Sequence, residues 1–362
     1  MAHTWLALAI AASVVLPAQA NHESADTILN QFRVLAPRMH VLRPASALRA
    51  LPASQDEAAK KQISADVQTL VRDSFSVVVI DKGTLVAEAY GNGARADLPL
   101  NSYSMAKSLT ALAVGEALCA GKIKSLDDLA ASYVPALEGT AYGASSLRNL
   151  LRYTSGAKDP LGDGYSGVHS GRDFYAVTSH QISLLDLARK HGDSSSFKPG
   201  EKFIYNGLDS ETLSLVLRAA TGMSLPHWFE ATVWQKAGAE HPAGWFLDRD
   251  GNGIAEMLVL ATTRDFARVG VYVLERMTNS STDTCMNGFI KEASQPHIAK
   301  GYWEAAPQFG LGLHVGSDGN TWLFGHSGQR VGINAKTGRV VATNGWRATS
   351  NLDGLARRFI SP

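Results

Sequence analysis

The sequence predicts a mixed α/β (α+β) fold: an antiparallel sheet built from both ends of the chain, flanked by helices, with an all-α lobe inserted between. Three observations predict it. A strand hairpin lies early, at 75–80 and 84–90. Strands return only near the end, at 309–315, 320–325, 328–335 and 339–343. Between about 104 and 235 helical patterns dominate, broken by Gly, Pro and Ser clusters. Strands that enclose a helical middle imply a mostly antiparallel sheet closed by both termini, with the site between the two lobes. The expected division is 21–103 with 255–362 for the sheet domain and 104–254 for the helical lobe, after a leader at 1–20.

The elements follow in order. Leu6 to Leu16 is uncharged and apolar, and Ala18-Gln19-Ala20 supplies a small-x-small site. This reads as a secretory signal cleaved after Ala20, which places the mature protein in the periplasm or outside the cell without a stable membrane anchor, although the leader lacks Lys and Arg. Ile63, Val67, Leu70 and Val71 give 56–72 an amphipathic helical spacing. Asp81-Lys82-Gly83 is the hairpin turn. Met105 to Leu118 is apolar almost all round, as the buried axis of the helical lobe should be. Cys119 falls in that apolar setting, so two buried free thiols are expected rather than a Cys119–Cys285 disulfide. Tyr165 and His169 read as exposed loop residues. Asp209 is expected to cap the helix that runs to Thr221 and stops at Gly222. Asp248-Arg-Asp250-Gly-Asn252 begins like a calcium loop, but Val259 stands where the bidentate Glu is needed, so it reads as a polar turn. Lys336-Thr337-Gly338 reads as the turn between the last two strands, and 350–360 as a closing helix.

Composition narrows the function. The 362 residues are 45% hydrophobic and 19% charged, with 34 Lys+Arg against 33 Asp+Glu, so there is no electrostatic footprint for nucleic acid or an anionic membrane. Two cysteines exclude a disulfide scaffold and a cysteine zinc cluster, and neither HExxH nor CxxC occurs. No metal and no organic cofactor is expected. The remaining class is a small-molecule enzyme or binder.

A serine nucleophile needs a base in hydrogen-bond reach and an oxyanion hole. Gly325-His-Ser327-Gly-Gln329 approaches the G-x-S-x-G elbow, but its fifth residue is Gln and no His follows His326. Ser-x-x-Lys occurs at Ser104/Lys107, Ser155/Lys158 and Ser195/Lys198. The last two fall in Gly- and Pro-rich loops. Ser104 and Lys107 instead share a face at the start of the apolar helix, with the serine at its positive end and its backbone N–H unclaimed.

Ser104-Met-Ala-Lys107 on a central helix resembles the first motif of the penicillin-recognising serine hydrolases: serine β-lactamases, D,D-peptidases, related esterases and 6-aminohexanoate-oligomer hydrolases. The similarity runs over about 75–345. Leu150-Leu-Arg-Tyr-Thr-Ser-Gly156 resembles the family's L-L-x-x-T-S-G segment. Lys198-Pro-Gly-Glu-Lys-Phe-Ile-Tyr205-Asn206 resembles P-G-x-x-F-x-Y, with Tyr205 as the motif tyrosine. Leu260-Ala-Thr-Thr-Arg-Asp-Phe-Ala267 resembles a helix start, and His326-Ser327-Gly328 the H-x-G form of the K-T-G strand. The chain departs in having Tyr205-Asn206 where lactamases and peptidases often carry Tyr-x-Asn. No Glu-x-x-Leu-Asn element is found, so the Tyr-dependent branch fits better.

The resemblance implies a β-lactamase/D,D-peptidase-like fold and an acyl-enzyme on Ser104, with Lys107 and Tyr205 as proton-handling partners. It implies an oxyanion hole from the backbone N–H groups of Ser104 and Gln329, and substrate contacts from His326, Ser327, Gly328 and Asn206. The expected substrate is a linear amide or ester; the alternatives are D,D-peptidase or β-lactamase activity on carboxylate-bearing substrates, and a catalytically silent sensor module.

Overall fold

The computed structural model describes residues 38–72, 74–158, 171–301, 303, 305–316, 319–345 and 350–361. The leader at 1–20 and the loop residues Tyr165 and His169 lie outside these. Among the described residues no helix is long and apolar enough to cross a membrane.

The main sheet has eight strands. In chain order these are β2 (Ser74–Asp81), β3 (Thr84–Tyr90), β7 (Ile298–Ala299), β8 (Gln308–Phe309), β9 (His314–Val315), β10 (Thr321–Phe324), β11 (Arg330–Asn334) and β12 (Arg339–Gly345). The spatial order is β3-β2-β12-β11-β10-β9-β8-β7, every neighbour antiparallel. The early hairpin and the last strand therefore meet side by side, Val79 opposite Val341. β2 carries Val77, Val78, Val79 and Ile80, all buried, because both of its faces are covered. Val77, Val79, Val341 and Trp322 pack with helices Glu57–Arg72 and Ser350–Ile360. Val78, Ile80, Val340 and Ala342 point to the opposite side and join the larger core. Helix Thr263–Met277 lies on that side; a side chain at Gly270 would meet Val340 and Val331 at 2.6 and 2.7 Å, so the glycine sets this close approach.

A second antiparallel sheet, absent from the sequence reading, joins β1 (Met39–Leu42), β4 (Leu100–Asn101), β5 (Ala243–Phe246) and β6 (Val259–Ala261) in the order β1-β5-β6-β4. Its strands are two to four residues long, too short for a period-2 signal. The central helix, Met105–Cys119, follows β4 after three residues and is buried from Met105 to Ala117. Trp228 donates its indole N–H to Ala113 O, and Glu116, also buried, takes the Lys236 ammonium and the Tyr272 hydroxyl.

Four local expectations are corrected. The stretch 309–315 is two strands, since Gly310 and Gly312 turn the chain between β8 and β9; Gly312, at φ 72°, lies against Ala111 of the central helix. His326–Gly328 is a 3₁₀ turn between β10 and β11, not a strand edge, with Ser327 at φ 56° and Gly328 at φ 88°. Asn206, not Asp209, caps helix Gly207–Thr221: its Oδ1 accepts from Leu208 N–H. Cys119 and Cys285 form a disulfide. Cys119 is the last residue of its helix and only half buried, while Cys285 is exposed on helix Thr284–Ala293, so the apolar setting ends before the thiol. The Asp248 loop is a polar turn, its carboxylate accepting from the N–H groups of Leu184, Asp250 and Asn252.

Candidate active site

The chain reaches the central helix through a tight corner. Tyr103 has φ 43°, and its N–H is held by the Asn101 side chain. Ser102 donates its backbone N–H to Val259 O in the second sheet. Ser104 then stands at the N-cap position, yet its hydroxyl makes no capping bond. It accepts instead from Lys107 Nζ at 3.1 Å. Ser104 is 8% exposed and Lys107 4%. Among the described residues, the Ser104 N–H donates to no acceptor.

The other two Ser-x-x-Lys pairs have a different setting. Lys158, Ser195 and Lys198 are exposed, and the two loops pair with each other through a bridge between Ala157 and Ser195. Ser155 is buried beside the Asp209 carboxyl, which burial pushes well above the usual carboxylate range.

Tyr205 precedes the N-cap of helix Gly207–Thr221, and its ring comes against the lysine: Lys107 Nζ lies 5.1 Å from the ring centroid. Tyr153, from the Thr-Ser-Gly segment, packs on Tyr205 at 5.1 Å between centroids, and Phe309 packs on Tyr153. Burial, then the neighbouring Tyr205, pushes the Tyr153 hydroxyl well up, so it stays neutral; it is bonded to Ser210. Three motif segments distant in sequence thus meet around one amine.

The 326–328 turn flanks the serine. The His326 ring is 5.9 Å from that of Tyr103 and exposed. Gly325 abuts Ser102 O so closely that a side chain there would overlap it. The turn is anchored behind by Thr343 donating to Gly328 O and by Gly345 N–H donating to the Gln329 side chain.

Two expected contacts are not brought into the site. Asn206 is 1% exposed and spends its side chain on Leu208 N–H and, through Nδ2, on the Tyr142 hydroxyl. The Gln329 N–H closes the 3₁₀ turn on His326 O at 3.3 Å, a long bond. Both departures follow from local structure: a helix needs its cap, and a turn that replaces a strand directs its N–H groups inward.

Two residues were missed. Glu256, fully buried, faces Lys107: the Glu256 carbonyl accepts from Nζ at 2.9 Å and its Oε2 lies 3.4 Å away. Glu211, also fully buried, accepts the N–H groups of Ala255 and Glu256 at 2.9 and 3.1 Å. The available signal was chemical: Glu256 is the one charged residue between Gly253 and Arg264, in a run otherwise apolar or hydroxylic.

With this geometry in hand, comparison with known proteins is specific. The family model described as Beta-lactamase matches residues 59–357. Over 214 residues the chain is 26% identical to the 6-aminohexanoate-dimer hydrolase of Paenarthrobacter ureafaciens, covering 56% of this chain and 52% of that protein. The match thus spans about half the length of this relative. Among solved structures, a Bacillus anthracis protein provisionally assigned as a 6-aminohexanoate-dimer hydrolase superposes with a TM-score of 0.73 at 18% identity, covering 95% of this chain and 97% of that one. EstCE1, a hydrolase with promiscuous acyltransferase activity, superposes with a TM-score of 0.66 at 17% identity, covering 84% and 98%. At these identities the structural likeness establishes the fold.

Proposed function

The chain belongs to the beta-lactamase family of serine hydrolases, and from that premise we propose that it cleaves a linear amide or ester bond through an acyl-enzyme on Ser104. The observation that carries the reading is the Ser104 hydroxyl, which leaves the helix cap unmade and turns to the buried Lys107 Nζ 3.1 Å away.

Ser104 Oγ attacks the substrate carbonyl and its proton passes to Tyr205, whose phenolate form the adjacent Lys107 cation favours. The developing oxyanion takes the Ser104 N–H, a donor of the kind worth about 3 kcal/mol. Tyr205 returns the proton to the leaving amine or alcohol, then activates the water that releases the acyl group.

The substrate preference rests on what flanks the serine. By the motif resemblance His326 corresponds to the lysine of lactamase and peptidase relatives, and a neutral imidazole gives a carboxylate a weaker bond than an ammonium does. Asn206 is occupied as a cap, so it offers no amide to an acylamino substrate. Both favour linear amides and short esters over β-lactams and D-Ala-D-Ala peptides. The Cys119–Cys285 disulfide supports the accompanying proposal of an exported protein.

The test is mass mapping after a fluorophosphonate, followed by steady-state kinetics on matched ester, amide and lactam substrates. The adduct should sit on Ser104, and Ser104→Ala should abolish turnover with little change in Tm. An adduct on Ser155, Ser195 or Ser327, or a kcat/KM for benzylpenicillin above that of every ester and amide, would overturn the proposal.

A further inference from the structure

The amine beside the nucleophile is held by more than the serine. Lys107 Nζ has three acceptors around it: Ser104 Oγ at 3.1 Å, Glu256 O at 2.9 Å and Glu256 Oε2 at 3.4 Å. The Glu256 carbonyl and carboxylate can only accept, so they draw two N–H groups, and an ammonium has a third N–H for Ser104 Oγ, whereas a neutral amine would instead receive the serine O–H on its lone pair. One residue, Glu256, provides two of the three acceptors. Its main chain is fixed in turn by Glu211, whose carboxyl spans the consecutive N–H groups of Ala255 and Glu256.

Resting on the hydrolase reading above, we propose that Glu256 is a positioning residue that keeps Lys107 in its ammonium form and aims it at Ser104 Oγ, leaving Tyr205 to accept the serine proton. The charges facing Lys107 agree. Burial, then the charge of Glu256, pushes the Glu211 carboxyl well up, against the pull of its two N–H bonds and of Lys107. From the sheet side, burial first and then the charges of Lys300, Arg330 and Lys107 hold the His314 imidazole well below its ordinary range. The Tyr205 ring lies on another side of the amine, its centroid 5.1 Å from Nζ.

The experiment combines a pH profile with a direct titration. Removing the carboxylate charge in Glu256→Gln lowers the Lys107 pKa. The basic limb of kcat/KM on an ester, where the ammonium is lost, should then move to lower pH by about one unit or more. Glu256→Asp retains the charge and should keep the limb near its wild-type position with reduced kcat. In the wild-type protein the Lys107 Cε resonance, assigned by its loss in Lys107→Arg, should not titrate below about pH 9; this measurement needs no variant at Glu256 to fold. A basic limb that stays in place in Glu256→Gln while Ser104 still takes the fluorophosphonate would overturn the proposal. So would a wild-type Lys107 that titrates near neutrality. Failure of the parent reading looks different: wild-type Ser104 would not be labelled at all.

Discussion

Reduction of the Cys119–Cys285 disulfide should cost stability and leave catalysis intact. The bond closes a sequence separation of 166 residues. On the chain-entropy model, such a loop removes roughly 17 cal/mol/K from the unfolded ensemble, about 5 kcal/mol at 25 °C, and loss of native disulfides costs about 2–5 kcal/mol. A chain of 362 residues unfolds with an entropy of about 0.76 kcal/mol/K, so Tm should fall by roughly 3–7 °C. The bond ties the far end of the central helix to helix Thr284–Ala293, and fifteen helical residues put it about 22 Å from Ser104. Ester turnover at 25 °C should therefore be unchanged. The assay pairs thermal melts with and without a phosphine reductant, to which exposed Cys285 is accessible, with alkylation of the unfolded, unreduced chain. Two alkylated thiols without reductant would refute the pairing. A Tm that moves by less than about 1 °C on reduction would refute the energetic argument.

Other outcomes are expected. Tyr205→Phe keeps the packing on Tyr153 and removes the proton carrier, so kcat on an unactivated amide should drop by about 10²–10⁴, as stopped-time product analysis would show; near-normal turnover would remove Tyr205 from the mechanism. Gly312→Ala combines a left-handed backbone at φ 72° with overlap onto Ala111. Together these should cost about 2–5 kcal/mol in a denaturant melt, and a variant as stable as wild type would show that the β8–β9 turn relaxes freely.

Much of the architecture was legible because each signal was local and strong. Asp81-Lys82-Gly83 between two β-branched runs marks a hairpin, and a helix apolar almost all round from Met105 marks the centre of its lobe. The second sheet was not legible, since β4 has two residues and β6 three; such strands exist by virtue of their partners. The 326–328 turn was misread because a resemblance to a strand motif says nothing of Ser327 entering the left-handed region. Asn206 was misassigned for a similar reason: its position next to Tyr205 suggested chemistry, while the helix beginning at Gly207 claimed it as a cap. Glu211 and Glu256 were invisible as a pair because their meeting depends on how 253–258 folds beneath the helix Gly207–Thr221. The cysteines were misjudged by two residues of position, burial of the helix ending at Ala117 and Cys119 lying just past it.

The pairing of β2 with β12 has a consequence for the order in which the molecule can be made. Arg339 and Asp81, 258 positions apart, stand opposite each other and form an ion pair. While the chain is being synthesised, Ser74–Tyr90 is complete long before its partner strand leaves the ribosome. Its strand edge, Val77 to Ile80, then has the hairpin and helix Glu57–Arg72 beside it but no partner strand on the β12 side, and such an edge pairs readily with other chains. Closure over so long a separation is also slow. The nascent protein therefore spends the interval from Tyr90 to Arg339, the larger part of its 362 residues, with that edge unpaired, and a chain truncated before residue 339 should accumulate as aggregate rather than as a partly working enzyme.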